Sequence, residues 1–119
     1  MDKKRIGDWG EARAAAHLES KGYEVIARGF RSRFGEIDLI AVNAEFVAFV
    51  EVKTRKDARV ARAREFVDRR KRERLRATAE MWLCENETGL QPRFDVIEVY
   101  APLGVETQTP YILHWENTF

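Results

Sequence analysis

Two apolar runs of this chain carry charge where a sheet should be greasy. One is Gly35-Glu36-Ile37-Asp38-Leu39-Ile40-Ala41, the other Phe49-Val50-Glu51-Val52-Lys53-Thr54-Arg55. Side chains alternate faces along a strand, so Glu51 and Lys53 project from one face while Val50 and Val52 project from the other. An Asp on one strand and a Glu-x-Lys on the next can converge on one point. Two carboxylates placed in that way hold a hard divalent cation through oxygen, and a neighbouring ammonium positions water or stabilises developing negative charge. The chemistry that needs this set is metal-assisted phosphodiester hydrolysis.

The elements that must carry these residues follow from periodicity. Residues 3 to 21 read as a helix, with Ile6, Trp9, Ala12 and Ala16 at helical spacing and Gly22 as its stop. Strands are expected at 23 to 30, 36 to 42 and 46 to 53, joined by a turn at Arg31 to Phe34 and by Asn43-Ala44-Glu45. A polar, basic stretch at 55 to 64 leads into a long helix over about 65 to 86, ended by Asn86 to Gly89. Two short strands, near 93 to 100 and 111 to 115, flank a turn with Pro102 and Gly104. The order αβββαββ, without repeats or linkers, predicts a single α/β domain over 1–119 with helices flanking one mixed sheet.

Composition narrows the classes. The chain has 119 residues, 45% apolar and 34% charged, enough to bury a core without staples. No run approaches membrane-spanning length, and the opening Met1-Asp2-Lys3-Lys4-Arg5-Ile6-Gly7 lacks the apolar segment of a secretory signal. A cytoplasmic protein with no membrane partner is expected. The one cysteine, Cys84, falls in a helical apolar pattern and reads as a packed, inert thiol. A net charge of +1 hides segregation: residues 55 to 76 hold eleven Arg or Lys against four acids, a net of +7 that leaves the rest at −6. Such a concentrated positive field is the footprint of a polyanion binder, or else a solvated helix face.

Further residues break their local pattern. Glu11 shares a helical stripe with Gly7, Ala15 and Leu18, where a carboxylate needs a metal or a basic partner; an exposed acid near the helix start reads it equally well. Lys71 lies one turn from both Val67 and Leu75, either leaning toward the carboxylates or snorkelling at the helix edge. Arg69, Arg70, Arg72 and Arg74 mostly face solvent, within reach of a phosphate backbone. Arg28, Arg31 and Arg33 flank the turn before Gly35 as candidate phosphate clamps. Trp9, Trp82 and Trp115 read as core aromatics. His17 and His114 are far apart in sequence, and a lone cysteine excludes zinc-finger spacing.

Taken together, these residues resemble the YraN-like family of small bacterial endonuclease-like proteins, within the PD-(D/E)XK nuclease superfamily related to archaeal Holliday junction resolvases. The resemblance spans nearly the whole chain. It runs through Gly7-x-x-Gly10-Glu11-x-x-Ala14, Gly22-Tyr23, the Gly-Glu-Ile-Asp and Val-Glu-Val-Lys-Thr-Arg blocks, and Val67-x-x-x-Lys71-x-x-x-Leu75. It continues in Arg93-Phe94-Asp95-Val96-Ile97, Ile112-x-His114-x-x-Asn117 and Phe119. Departures are Gly29 where Asn is usual, Thr118 where Ala is usual, and an arginine-rich segment after Arg55 where a glycine is usual.

The resemblance implies a restriction-endonuclease-like fold and a Mg²⁺- or Mn²⁺-dependent DNA endonuclease, acting on branched or otherwise structured DNA. Asp38 and Glu51 would be the metal-binding acids, with the Val52 backbone carbonyl as a further ligand and Glu11 as the helix-borne acid. Lys53 would orient water and stabilise the transition state. Arg28, Arg31, Arg33, Arg55, Arg69, Arg70, Lys71, Arg72 and Arg74 would track the nucleic acid. Two-fold action on a junction would call for a homodimer. The alternative is a catalytically silent nucleic-acid-binding module or scaffold in DNA metabolism.

Overall fold

A computed structural model describes residues 3–56 and 68–119. The first helix, α1 (Lys3–Ser20), is followed by strands β1 (Glu24–Ser32), β2 (Gly35–Val42) and β3 (Phe46–Arg55). Then come α2 (Arg69–Glu85), β4 (Gln91–Tyr100), a single 3₁₀ turn (Gly104–Glu106) and β5 (Tyr111–Trp115). The expected order holds, and apart from the start of α2 each boundary falls within two residues of its expected place. The five strands form one mixed sheet in sequence order. Only β3 and β4 run parallel, joined across α2.

Alternation along the strands separates two cores. Leu39, Ala41, Ala48, Val50, Ile97 and Val99 pack against Ala14, Ala15 and Leu18 of α1. Ile40, Val47, Phe49 and Val96 pack against Leu75, Ala79 and Trp82 of α2. Each fully buried Leu, Ile or Phe contributes about 1.5–3 kcal/mol, so both helices are fastened mainly by their apolar stripes. Gly10 lets α1 come close to β3, because a Cβ there would lie 1.9 Å from Thr54 Oγ1. Among the described residues no helix is long and apolar enough to cross a membrane.

Two expectations are corrected. The backbone of Asp68 is extended (ψ 174°) and its carboxylate accepts the Lys71 amide at 2.9 Å, so Asp68 caps α2 at Arg69 and is not itself helical; the expected start near 65 lies outside the described residues. Cys84 is exposed. It lies two residues past Trp82, off the stripe that Leu75, Ala79 and Trp82 bury. The expected basic loop, beyond Arg55 and Lys56, and Val67 lie outside the described residues. Trp82 is buried, and Trp9 and Trp115 pack half-buried against the two cores.

Candidate active site

The site forms where the β2–β3 ladder stops. Its last pair is Leu39–Val50. One position further, the Asp38 side chain takes the place of the backbone, with Oδ2 accepting the Val52 amide at 2.8 Å. The opposing strand contributes to the same break. Gly29, between the β1–β2 pairs Arg28–Leu39 and Phe30–Ile37, has φ +67°. Phe30 and Ile37 therefore join the α2-side core although they lie three residues from Ala27 and Ile40 of the same core. Gly adopts this left-handed backbone without steric cost.

Glu51 and Lys53 leave β3 on the α2 side, as alternation requires. Glu51 is only 6% exposed, with Lys53 Nζ 3.8 Å from Oε2. The Lys71 ammonium, from the first turns of α2, is in direct contact with the same oxygen. Of the two readings of Lys71, the structure gives the one that leans toward the carboxylates. Glu51 Oε2 is buried, and the two ammonium groups answer its charge. A cleft of about 400 Å³ opens above these groups, walled by Phe34, Gly35, Glu36 and Arg74.

The charges divide unevenly. Burial, followed by the hydrogen bond and repulsion from Glu51, pushes the Asp38 carboxyl up to about 8. Glu51 goes the other way: burial opposes its charge, but the Asp38 proton and the two lysines hold it below the ordinary value. Of the two acids, Asp38 is thus the one whose environment favours the protonated form and Glu51 the one that favours the charge. Burial lowers Lys53, with Lys71 adding to the effect against Glu51. Lys71 is raised, because the Glu51 carboxylate outweighs the burial of its ammonium.

Glu11 lines an adjoining cavity with Asp8, Arg28, Arg31 and Glu36. Its carboxyl is raised by burial, then by Asp8, Glu36 and Glu51. Among the described residues no three His, Cys, Asp or Glu side chains lie close enough to enclose a metal by themselves. Two carboxylates with open space beside them nevertheless fit Mg²⁺ or Mn²⁺, which keep several waters and need few protein ligands.

The basic residues are distributed unequally. Arg74 lines the cleft, and Arg28 and Arg31 line the adjoining cavity, Arg31 in an ion pair with Glu36. Arg70 is exposed. Arg69 pairs along the helix with Glu73 at 3.3 Å, and Arg72 lies 5.9 Å over the Phe119 ring. Arg55 turns inward, its Nε 3.9 Å from fully buried Glu98.

Sequence reasoning did not assign the buried charges of β4. Asp95 is held by both arms of the Arg93 fork, by His114 Nε2 at 2.8 Å and by the Asn117 amide. Glu98 is held by Tyr100 and Trp115. Charged residues recurring within the apolar run Arg93–Tyr100 were the available signal. The fold also brings the His17 and His114 rings to 6.2 Å, despite their separation in sequence.

Comparison with known proteins bears on this arrangement. The model of "Uncharacterised protein family UPF0102" matches residues 10–99, a span that holds Glu11, Asp38, Glu51, Lys53 and Lys71. The chain belongs to the UPF0102 family. A UPF0102 protein of Nocardia farcinica is 42% identical over 119 residues, covering 99% of this chain and 91% of the relative. UPF0102 proteins of Caldanaerobacter subterraneus subsp. tengcongensis (41% over 101 residues; 84% and 83% covered) and Symbiobacterium thermophilum (44% over 97 residues; 81% and 82%) are also similar. UPF0102 membership agrees with the YraN-like resemblance.

Proposed function

We propose that this chain is a Mg²⁺- or Mn²⁺-dependent DNA endonuclease of the PD-(D/E)XK type, working in the cytoplasm on branched or structured DNA. The observation that carries the reading is the convergence of Asp38, Glu51 and Lys53 where the β2–β3 ladder ends. Asp38 and Glu51 would hold the cation. Val52 would add its carbonyl: the N–H and C=O of a residue in a strand point to the same edge, and the Val52 N–H already faces Asp38. Bound there, the cation would polarise the scissile phosphate and make water a stronger nucleophile.

The other steps belong to the chain. Lys53, half-buried and fixed beside Glu51, orients the attacking water and stabilises charge on the phosphoryl oxygens. Lys71 neutralises Glu51, and with a cation held by that carboxylate its ammonium would be available to phosphate. Glu11 adds negative potential from the adjoining cavity. Arg28, Arg31 and Arg74 stand around the openings to receive the backbone. A second copy would supply the symmetry a four-way junction requires.

The test is a labelled panel of linear duplex, single strand, flap and four-way junction, with Mg²⁺, Mn²⁺ or EDTA, beside Asp38→Ala. Metal-dependent cleavage that disappears in the variant supports the nuclease. Binding without cleavage, unchanged in Asp38→Ala, leaves a nucleic-acid-binding module in its place.

A further inference from the structure

The tip of the β1–β2 hairpin puts an aromatic ring on the wall of the cleft. Ser32 pairs with Gly35, so Arg33 and Phe34 alone make the turn. Neither residue belongs to the Gly, Asn and Asp set usual in such tight hairpins, and neither has positive φ. The tip is instead tied to α2. The Phe34 amide donates to Ser32 Oγ at 3.0 Å, Ser32 Oγ meets Thr78 Oγ1 at 2.8 Å, and Thr78 donates to the Arg74 carbonyl at 2.9 Å. Each hydroxyl has one proton, so the chain runs in a single direction from Phe34 to Arg74.

Held in this way, the Phe34 ring is 38% exposed, and the Arg33 guanidinium lies 4.9 Å from its centroid. The ring is a partition. On one side lie Asp38, Glu51, Lys71 and Arg74. On the other is a groove of about 360 Å³ lined by Ala77, Glu80, Met81, Cys84 and Glu85. On the cleft side Lys71 and Arg74 stand among the carboxylates of the proposed phosphodiester site, whereas the charged residues of the groove are Glu80 and Glu85 alone, which repel phosphate. A flat apolar group attached to a phosphate fits this division.

We infer that Phe34, backed by Arg33, is the stacking platform for an unpaired nucleobase whose phosphate lies in the cleft. This rests on the nucleic-acid reading of the site and sharpens it. In continuous duplex each base face is covered by its neighbour, so an aromatic ring finds a partner only where a base is splayed out or single-stranded. The substrate class is therefore DNA with an unpaired base beside the scissile phosphate, as at a flap or branch point.

The test places 2-aminopurine as the unpaired base at a flap junction, with a fully paired duplex beside it. Binding is read in the full chain carrying Asp38→Asn, so that cleavage does not intervene. The expected result is quenching on binding, about tenfold weaker flap affinity in Phe34→Ala, and recovery in Phe34→Trp, with the loss confined to the flap. Unquenched fluorescence, or equal loss on flap and duplex, overturns the platform. A flap that is bound and quenched by this chain, but never cut when Asp38 is present with Mg²⁺, sustains the platform and overturns only hydrolysis. Cleavage that is indifferent to Phe34→Ala and to pairing does the reverse.

Discussion

Asp38 Oδ2 accepts the Val52 amide at 2.8 Å just beyond the last β2–β3 pair, so a side chain does the work of the next backbone rung. The strands can then separate while the Val52 N–H stays satisfied. The space gained is where the carboxylates meet. The Val52 amide favours the charged Asp38 carboxyl, but burial and Glu51 outweigh it, whereas Glu51 has Lys71 and Lys53 to hold its charge.

Asp38→Asn should stabilise the metal-free protein while abolishing cleavage. The native carboxyl holds its proton up to about pH 8, whereas the unfolded one releases it near 3.8. Between those values the native state binds more protons, so the Asp38 contribution to stability falls as pH rises. The Asn variant escapes that loss and should be more stable at pH 8 by about 2 kcal/mol, with the gap closing toward pH 5. Glu51 acts in the opposite sense: its value is depressed, so its contribution is present above its unfolded 4.5 and is lost as pH falls further. Denaturant midpoints measured from pH 4 to 9 check both signs, and a gap that widens toward acid would refute the assignment.

Lys71→Met should expose the role of Lys71 as a resident counter-charge. Lys71 is partly exposed, so its loss should cost about 1–2 kcal/mol without metal, less than breaking a fully buried pair. Added Mg²⁺ should raise the melting temperature of the variant more than that of the parent, because Glu51 then lacks its ammonium. Equal shifts would mean that Glu51 does not take part in binding the cation.

Gly10→Ala should destabilise the fold by about 1–3 kcal/mol, through a Cβ 1.9 Å from Thr54 Oγ1 and 3.1 Å from Thr54 Cβ. Thr54→Ala in the same chain should recover part of the loss. A double-mutant cycle by thermal denaturation reads the coupling. Lys53 adjoins Thr54 and Glu11 adjoins Gly10, so activity should fall more than stability alone explains.

Arg70→Gln and Arg74→Gln should each weaken DNA binding without changing sequence preference, and lower the log–log salt slope by about one. Arg55→Gln should instead lower stability, since its guanidinium lies against buried Glu98. Titrations at several salt concentrations separate the two behaviours.

Legibility in the sequence followed the physics of each residue. Asp38, Glu51 and Lys53 stood out because charge inside a strand is costly, and the order of elements followed from periodicity. Lys71 stayed ambiguous because a lysine beside an apolar stripe reads the same whether it snorkels or pairs. Cys84 was misplaced because helical phase drifts over α2, and two residues suffice to turn a side chain from core to solvent. Strict alternation failed at Gly29, whose φ is positive, and across the ladder at Asp38, so Phe30 and Ile37 fall out of step. Phe34 gave no signal, since a lone aromatic in a turn gains meaning only from what the fold sets beside it.

The parallel pairing of β3 with β4 sets a constraint on the birth of the molecule. The strand bearing Glu51 and Lys53 has its second neighbour supplied by Gln91–Tyr100, on the far side of α2. A ribosome that has released only the first three strands presents β1, β2 and β3 as a meander with a long apolar edge unclaimed. Until the later strand arrives, that edge is open to any neighbouring chain, and Glu51 is held from one side only. The interval of greatest vulnerability to aggregation thus ends during synthesis when Gln91–Tyr100 pairs with the strand that carries Glu51 and Lys53.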